Sequence, residues 1–160
     1  MIRPMRVPDA SRMGEIHVFA QRVAYRGFVS DEFLFGDKMS VQKRIGYFAE
    51  GTADAYIFDD GIIKGFITLG PCKDDDKPNT LELYRIFVDP FMFGQGIGGK
   101  LATHFEDVAK KKGHDDICLW VLQGNTNAQA FYEKLGYVAD GAVRISEYFG
   151  VPEVRYVKEI

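Results

Sequence analysis

The chain of 160 residues contains only two cysteines and three histidines. So few ligating side chains exclude a disulfide-stapled scaffold and the closely spaced ligands of a zinc finger. Cys72 lies in a polar loop and Cys118 in an apolar strand pattern, without metal-ligand spacing. We therefore expect two reduced thiols, no metal and a reducing compartment.

Long apolar runs are also missing. No segment approaches the ~20 apolar residues that a membrane-spanning helix needs, and residues 1–6 indicate a strand rather than the apolar core of a signal peptide. The net charge is only −3, so no global positive field attracts nucleic acid. These absences predict a cytoplasmic protein with no membrane and no nucleic-acid partner.

The composition is that of an ordinary globular protein, with 46% hydrophobic and 27% charged residues. A chain of this length is sufficient for one domain with a sizeable core. It contains no internal repeat and no low-complexity linker, so we expect a single domain over residues 1–160. The acidic run Asp74–Asp76 is expected to be a solvated loop.

Helix and strand patterns alternate along the first half of the chain. A first strand is predicted within residues 2–7, and Asp9 is expected to cap the helix that follows. The apolar residues of that helix recur at helical spacing and are expected to face inward: Met13, Ile16, Phe19, Ala20, Val23 and Ala24. Residues 30–38 indicate a loop or one short helical turn, and Ser40 is expected to cap a second helix.

Further elements follow from turn signals and apolar periodicity. The dipeptide Asp60-Gly61 separates strand patterns that begin at Ala53 and at Ile62, which predicts a hairpin. The remaining predicted elements are a strand at 81–88, a helix at 98–112, a strand at 116–122, a helix at 125–135 ended by Gly136, and strands at 137–143 and 154–160. This order predicts an α/β domain with one mixed sheet, whose central strand–helix–strand unit is parallel.

The most informative segment joins the central strand to its helix. Four glycines occur within residues 94–99, directly before a helix pattern. Glycine allows the backbone to bend and to approach a ligand closely, and the unpaired N–H groups of a new helix attract anions. The segment therefore predicts a phosphate-bearing cofactor. A dinucleotide-binding fold is disfavoured, because its glycine fingerprint normally opens the first strand–helix unit.

Three segments carry a family resemblance. They are Val88-Asp89-Pro90 with Gly94-Gln95-Gly96-Ile97-Gly98, the stretch from Asn125 to Tyr137, and Ala24-Tyr25-Arg26-Gly27 with Asp31-Glu32-Phe33-Leu34. Together they resemble the GNAT superfamily of N-acetyltransferases. The resemblance implies acetyl-coenzyme A (acetyl-CoA) as cosubstrate and a single mixed, mostly antiparallel sheet, with a central parallel strand pair flanked by helices on both faces. Phe93 departs from the Arg or Gln that usually begins the family's glycine loop.

The resemblance also implies which residues bind the cofactor. They are Ile86, Phe87, Val88, Phe93, Gly94, Gln95, Gly96, Ile97, Gly98, Gly99, Lys100, Asn125, Ala128 and Tyr132. Backbone N–H groups of the loop would hold the pyrophosphate, and Lys100 would supply positive charge that Phe93 lacks. Asn125 would cap its helix and also bind the pantetheine arm.

Two side chains are candidates for proton transfer. The resemblance implies that the Tyr132 phenol protonates the departing thiolate of coenzyme A (CoA). Glu82 lies on a strand that is otherwise buried, where a carboxylate is costly unless it is paired or functional. We expect Glu82 to deprotonate the acceptor amine, on a face shared with Tyr84, Ile86 and Val88. The alternatives for Glu82 are a salt bridge to a neighbouring helix and a position on an exposed strand edge.

The acceptor side is less well defined. Tyr25 and Tyr84 are candidate substrate contacts, and the aromatic residues around Tyr25 favour a small pocket. A backbone N–H near Phe87 or Val88 is expected to stabilise the carbonyl oxygen during attack. The three histidines are expected to be solvated, and Trp120 and Cys118 to be packing residues.

These residues predict an N-acetyltransferase that moves the acetyl group of acetyl-CoA to a primary amine by direct attack, with a small-molecule amine as acceptor. A protein or peptide acceptor is one alternative, and a noncatalytic CoA-binding sensor module is another. The resemblance allows a homodimer.

Overall fold

The computed structural model describes residues 1–51 and 54–160. The strands are β1 (Ile2–Pro4), β2 (Asp54–Asp59), β3 (Ile63–Pro71), β4 (Leu81–Val88), β5 (Asp116–Leu122), β6 (Val138–Ile145) and β7 (Pro152–Glu159). The helices are α1 (Ala10–Tyr25), α2 (Asp31–Leu34), α3 (Val41–Glu50), α4 (Ile97–Lys111) and α5 (Thr126–Lys134). Ala53, the predicted start of the second strand, lies outside the described residues. None of the described helices has the length and apolar character needed to cross a bilayer.

The strands form a single sheet in the order β1-β2-β3-β4-β5-β7-β6. Only β4 and β5 pair in parallel among the described strands, and α4 connects them. One apolar cluster packs α4 and α5 on one face of the sheet, and a second packs α1 and α3 on the other. The predicted fold class is therefore confirmed: a mixed, mostly antiparallel sheet with a central parallel pair and helices on both faces.

The central strand carries a bulge that changes which face its side chains occupy. The β3–β4 register pairs Thr68 with Arg85 and Leu69 with Leu83, so Tyr84 is the extra residue on β4. Before the bulge Leu81 and Leu83 join the core beneath α4, whereas Ile86 and Val88 contact that core after it. The prediction that Glu82 shares a face with Ile86 and Val88 was wrong, because an inserted residue reverses the alternation of side chains. Glu82 and Tyr84 do lie on the same side, since a Cβ on Gly70, the register partner of Glu82, would meet the Tyr84 ring.

The same region opens a cleft in the sheet. The parallel pairing of β4 with β5 covers only Leu81–Leu83 and Ile117–Leu119. Beyond Leu83 the edge of β4 that faces β5 has no strand partner among the described residues, while β5 stays paired with β7 as far as Leu122. Backbone donors and acceptors on that edge of β4 are therefore available to a ligand.

The start of α1 differs from the prediction. Asp9 stands at the N-cap position but does not cap the helix with its side chain. Its carboxylate instead accepts hydrogen bonds from the Arg3 guanidinium, at 2.8 and 3.0 Å, and from the backbone N–H of Arg6. The Arg3 hydrogen bonds hold the pKa of Asp9 below its usual range. Asp9 thus fixes the preceding turn and ties the first strand to the helix.

The inward face of α1 is narrower than the apolar periodicity suggested. Met13, Ile16 and Ala20 are buried, as predicted. Phe19, Val23 and Ala24 were also expected to face inward but are exposed. The sheet covers one face of α1, and the apolar residues Phe19, Val23 and Ala24 lie outside that face.

Other local predictions were confirmed. The side chain of Ser40 accepts a hydrogen bond from the Lys43 N–H and caps α3. The hairpin between β2 and β3 forms around Gly61, which has a positive φ of 108°. Gly136 ends α5 with a φ of 87°. In each case a short polar side chain or glycine provides what the backbone conformation requires.

Candidate active site

The glycine loop has the conformation expected of an anion cradle. Gly94 and Gly96 adopt left-handed φ values of 79° and 71°, which side chains disfavour. The helix α4 starts at Ile97, one residue earlier than predicted, and no side chain caps its N-terminus. The first-turn N–H groups of α4 therefore remain available at the positive end of the helix dipole.

An ion pair that the sequence did not reveal anchors this loop. Asp89 is buried, accepts a hydrogen bond from the Phe91 N–H and pairs with the Arg12 guanidinium of α1. Arg12 also donates to the Ile63 carbonyl at 3.2 Å. The loop is thus fixed to both α1 and β3. Because the partners are 77 residues apart, no local pattern could have predicted the contact.

The predicted cofactor residues around the loop differ in their surroundings. Phe93 is half exposed, and the Lys100 ammonium lies 5.6 Å from the centre of the Phe58 ring. A Cβ on Gly98 would lie 3.4 Å from the Phe131 ring, so the start of α4 packs against α5 at this position. Their roles in cofactor binding stay predictions.

The N-terminus of α5 lies at the end of β5. The side-chain oxygen of Asn125 accepts a hydrogen bond from the Ala128 N–H at 3.2 Å and caps the helix. Its Nδ2 group has no acceptor within the described part of the chain and is available to a ligand. On the acceptor side, a Cβ on Gly124 would lie 2.7 Å from Phe28, so a ring packs directly on this backbone.

Tyr132 lies on α5 in an apolar environment. Its side chain is buried, and burial together with the nearby Tyr25 raises the pKa of its phenol well above the ordinary value. Its hydroxyl makes no hydrogen bond among residues 1–51 and 54–160, so its proton is free for another acceptor. Burial also raises the pKa of Tyr25, to about 12. The structure therefore brings the two predicted tyrosines close to each other, both protonated near neutral pH.

Tyr25 belongs to an aromatic cluster between the α1–α2 segment and the β6–β7 loop. Its ring centre lies 5.7 Å from Phe28 and 5.3 Å from Phe149, and Phe33 lies 5.3 Å from Phe149. The β6–β7 loop was not assigned a role from the sequence. The adjacent aromatic residues Tyr148 and Phe149 could have indicated a role for this loop. Their position opposite α2, however, depends on the assembled fold.

Glu82 is buried at the start of β4, next to both cysteines. Its Oε2 atom accepts a hydrogen bond from the Lys73 N–H at 3.3 Å, and burial raises the pKa of its carboxyl group. Cys118 lies directly opposite on β5, and its thiol donates to the Cys72 sulfur at 3.3 Å. No ion pair of Glu82 occurs in the described residues, which disfavours the alternative of a salt bridge to a helix.

Tyr84, the second candidate substrate contact, is held by the β3–β4 loop. Its hydroxyl donates to the Pro71 carbonyl at 2.6 Å, and the Lys73 ammonium lies 4.8 Å from its ring centre. Burial raises the pKa of the Tyr84 hydroxyl to about 12. The contacts of Tyr84 therefore fix the loop beside Glu82.

The acidic run at 74–76 is not simply a solvated loop, as was predicted. Asp74 accepts hydrogen bonds from the Trp120 indole and from Arg155, both at 3.0 Å, and from Arg144 at 3.2 Å. Asp76 accepts two more from Arg155, at 2.7 and 2.6 Å. The loop between β3 and β4 is thereby docked across β5 and β7. Trp120 is a hydrogen-bond donor to this loop as well as a packing residue.

Arg155 is the centre of this docking contact, because its buried guanidinium also donates to Asp140 at 2.8 Å. Replacing Arg155 with alanine removes the guanidinium that pairs with Asp76 and Asp140 and leaves Asp74 paired with Arg144. We expect the free energy of unfolding to fall by about 2 kcal/mol, as measured by urea denaturation. Arg26→Ala removes an exposed ion pair of 3.7 Å and is expected to change stability by less than about 0.5 kcal/mol. Equal effects of the two variants would contradict the docking role.

The prediction that the histidines are solvated was wrong for His17. Its ring is buried among Phe48, Phe66 and Phe87, and one ring nitrogen lies 2.9 Å from the Gln21 amide. Burial lowers the pKa of His17 well below its ordinary value, so the ring is neutral at physiological pH.

The other two histidines are also partly shielded from solvent. The His104 ring packs on Tyr56, and a ring nitrogen of His114 lies 2.6 Å from the Asn79 carbonyl. Both side chains stay partly exposed, so the prediction of solvated histidines holds for them in part.

Comparison with known proteins identifies the family. Residues 12–137 match the model of the acetyltransferase (GNAT) family. The chain is 31% identical over 119 residues to an uncharacterized N-acetyltransferase of Methanocaldococcus jannaschii, covering 71% of this chain and 51% of that protein. It is 26% identical over 144 residues to the spermidine N(1)-acetyltransferase of Thermoplasma acidophilum, covering 85% and 86% of the two chains. The chain belongs to the GNAT acetyltransferase family.

Solved structures show the same fold. The PaiA N-acetyltransferase of Thermoplasma acidophilum, crystallised with CoA, matches with a TM-score of 0.75 at 24% identity, covering 100% of this chain and 98% of that one. YncA of Salmonella typhimurium, solved with acetyl-CoA, matches with a TM-score of 0.72 at 17% identity, covering 99% and 92%. The chain spans about half the length of the Methanocaldococcus relative.

Proposed function

We propose that the chain is an acetyl-CoA-dependent N-acetyltransferase that acetylates a small primary amine by direct attack. The observation that carries this proposal is the cleft that opens where β4 separates from β5 beyond Leu83. The helix that follows β4 is α4 and the helix that follows β5 is α5, so both helix N-termini come after the strand ends that border the cleft. Ligands of open α/β sheets bind beyond the carboxyl ends of the strands.

The chain offers separate groups for the two halves of the cofactor. The N–H groups of residues 94–99 and the first turn of α4 would bind the pyrophosphate, since no side chain caps that helix. The Nδ2 group of Asn125 and the unpaired edge of β4 at residues 86–88 would hydrogen-bond the pantetheine arm. Most of these donors are backbone groups, so Phe93 does not remove them.

The reaction would need one acyl transfer, the loss of two protons from the acceptor nitrogen and the gain of one proton by the departing thiolate. Glu82 would take a proton from the ammonium of the acceptor, and the resulting amine would attack the thioester carbonyl. As the carbon–sulfur bond breaks, the Tyr132 phenol would donate its proton to the CoA thiolate. The second proton, which the nitrogen loses as the amide forms, would return to the Tyr132 phenolate through water. A backbone N–H near Phe87 or Val88 would hydrogen-bond the carbonyl oxygen while it carries negative charge.

Two features support a small acceptor. The aromatic cluster of Tyr25, Phe28, Phe33 and Phe149 closes one side of the acceptor region. The docked loop at 72–80 would close another, because its Lys73 N–H donates to the Glu82 carboxylate. The Thermoplasma relative is named for spermidine, which is a small amine.

Free-thiol release from acetyl-CoA tests this function with a panel of polyamines, amino acids, aminoglycosides and peptides. We expect turnover with at least one small amine and an acetylated product detected by mass spectrometry. Turnover with peptides alone would favour a protein or peptide acceptor over a small amine. CoA binding without turnover of any amine would favour the sensor alternative.

A further inference from the structure

Three metal-ligating side chains meet beside the sheet. The Cys72 and Cys118 sulfurs and a Glu82 carboxylate oxygen all lie within 4.8 Å of one another. The three residues are not close together in the sequence, so their spacing did not predict a metal site. The cluster arises because Cys118 and Glu82 are register partners on β5 and β4, while Cys72 directly follows β3.

The distances suit a tetrahedral ion. The two sulfurs are 3.3 Å apart. Ligands at ~2.0–2.3 Å from a tetrahedral zinc ion lie about 3.5–3.8 Å from each other. Small side-chain rotations would therefore bring the three ligand atoms onto one metal. An ion would replace the two thiol protons, of which one now points from Cys118 to Cys72 and the other from Cys72 to Asp74.

The surroundings hold these ligands in place. Glu82 and Cys118 are fixed by the sheet, and the Cys72 N–H donates to the Thr80 carbonyl at 2.9 Å. Asp74 anchors the loop to Trp120 and Arg155. Rigid elements and supported loops are what a preformed metal site requires.

We propose that Cys72, Cys118 and Glu82 bind one thiophilic divalent cation of the Zn²⁺ class. Thiolate ligands select Zn²⁺ and similar ions against Mg²⁺ and Ca²⁺, which prefer oxygen. Three protein ligands would leave a fourth position for water. A bound ion also occupies the carboxylate that the proposed function uses as base. This inhibitory consequence rests on the proposed function, whereas the binding site itself does not.

Titration of the chelator-treated protein with Co²⁺, under a phosphine reductant, tests the site directly. We expect one Co²⁺ per chain, a sulfur-to-cobalt charge-transfer absorption in the near ultraviolet, and displacement by one equivalent of Zn²⁺ but not by Mg²⁺. Cys72→Ser, on a half-buried loop position, is expected to abolish the absorption while the far-ultraviolet circular dichroism stays unchanged. Glu82→Gln is expected to weaken binding at least about tenfold, in line with the loss of one ligand.

Asp75→Asn is the matched control, because Asp75 is exposed in the same loop and is not a ligand. It is expected to bind Co²⁺ as the unmodified protein does. Absence of saturable binding, or binding that survives Cys72→Ser, would overturn the proposal. Binding that leaves acetyl transfer uninhibited would support the metal site and count against Glu82 as the base.

Discussion

Replacing Tyr132 with phenylalanine is expected to lower kcat about 100-fold, with little change in the KM for acetyl-CoA. The variant keeps the ring that packs under α5 and removes only the hydroxyl. That hydroxyl has no partner among the described residues, and burial keeps it protonated by raising its pKa. General acid catalysis contributes about 10²–10⁴-fold to such steps. Thiol release under saturating acetyl-CoA and amine measures the effect.

Tyr137→Phe is the control for this variant. Tyr137 is also buried, and its ring centre lies 5.6 Å from that of Tyr132. It has no assigned role in the reaction, so kcat is expected to stay within about twofold of the unmodified protein. A Tyr132→Phe variant with full activity would exclude this phenol as the acid and would leave the thiolate to be protonated by water.

Replacing Glu82 with glutamine is expected to lower kcat/KM for the amine about 100-fold or more at neutral pH. The amide keeps the size of the side chain and its acceptor for the Lys73 N–H, but it cannot take the ammonium proton. Assays in a chelator-containing buffer separate this effect from metal binding.

The pH profile gives a second signature of Glu82. Burial raises the pKa of its carboxyl group, so in the unmodified protein the rate falls as pH decreases and Glu82 takes up a proton. The fall therefore begins above the ordinary range of a glutamate, and Glu82→Gln is expected to lack this limb. Glu106→Gln, which changes a half-buried carboxylate on α4 that pairs with Lys158, is expected to keep both the rate and the limb. An unchanged profile in Glu82→Gln would exclude Glu82 as the base.

The sequence was most informative where local chemistry decides the structure. The glycine loop, the Asn125 cap and the Gly136 stop were predicted because each depends on a few adjacent residues. The order of helices and strands indicated the fold class, since neighbouring parallel strands need a crossover connection and α4 provides one between β4 and β5.

Features that depend on distant residues were not predicted. The bulge at Tyr84 reversed the faces of β4, and nothing in the alternation of apolar residues indicated an inserted residue. The contacts of Arg155 with the acidic loop, and of Cys72 with Cys118, join segments that are separated by 79 and 46 residues. Only the assembled sheet brings them together.

The central claim is that backbone groups at the start of α4 bind the pyrophosphate of CoA. Calorimetric titration with CoA tests it most directly, with three proteins compared: the unmodified protein, Gly96→Ala and Gly113→Ala. Both glycines flank α4 with positive φ, and a Cβ on either would meet no protein atom within 4 Å. The backbone strain is therefore similar, about 1 kcal/mol. We expect one CoA site, an affinity at least about tenfold weaker in Gly96→Ala, and no change in Gly113→Ala. No heat of CoA binding to the unmodified protein, or equal affinities in all three proteins, would contradict the account.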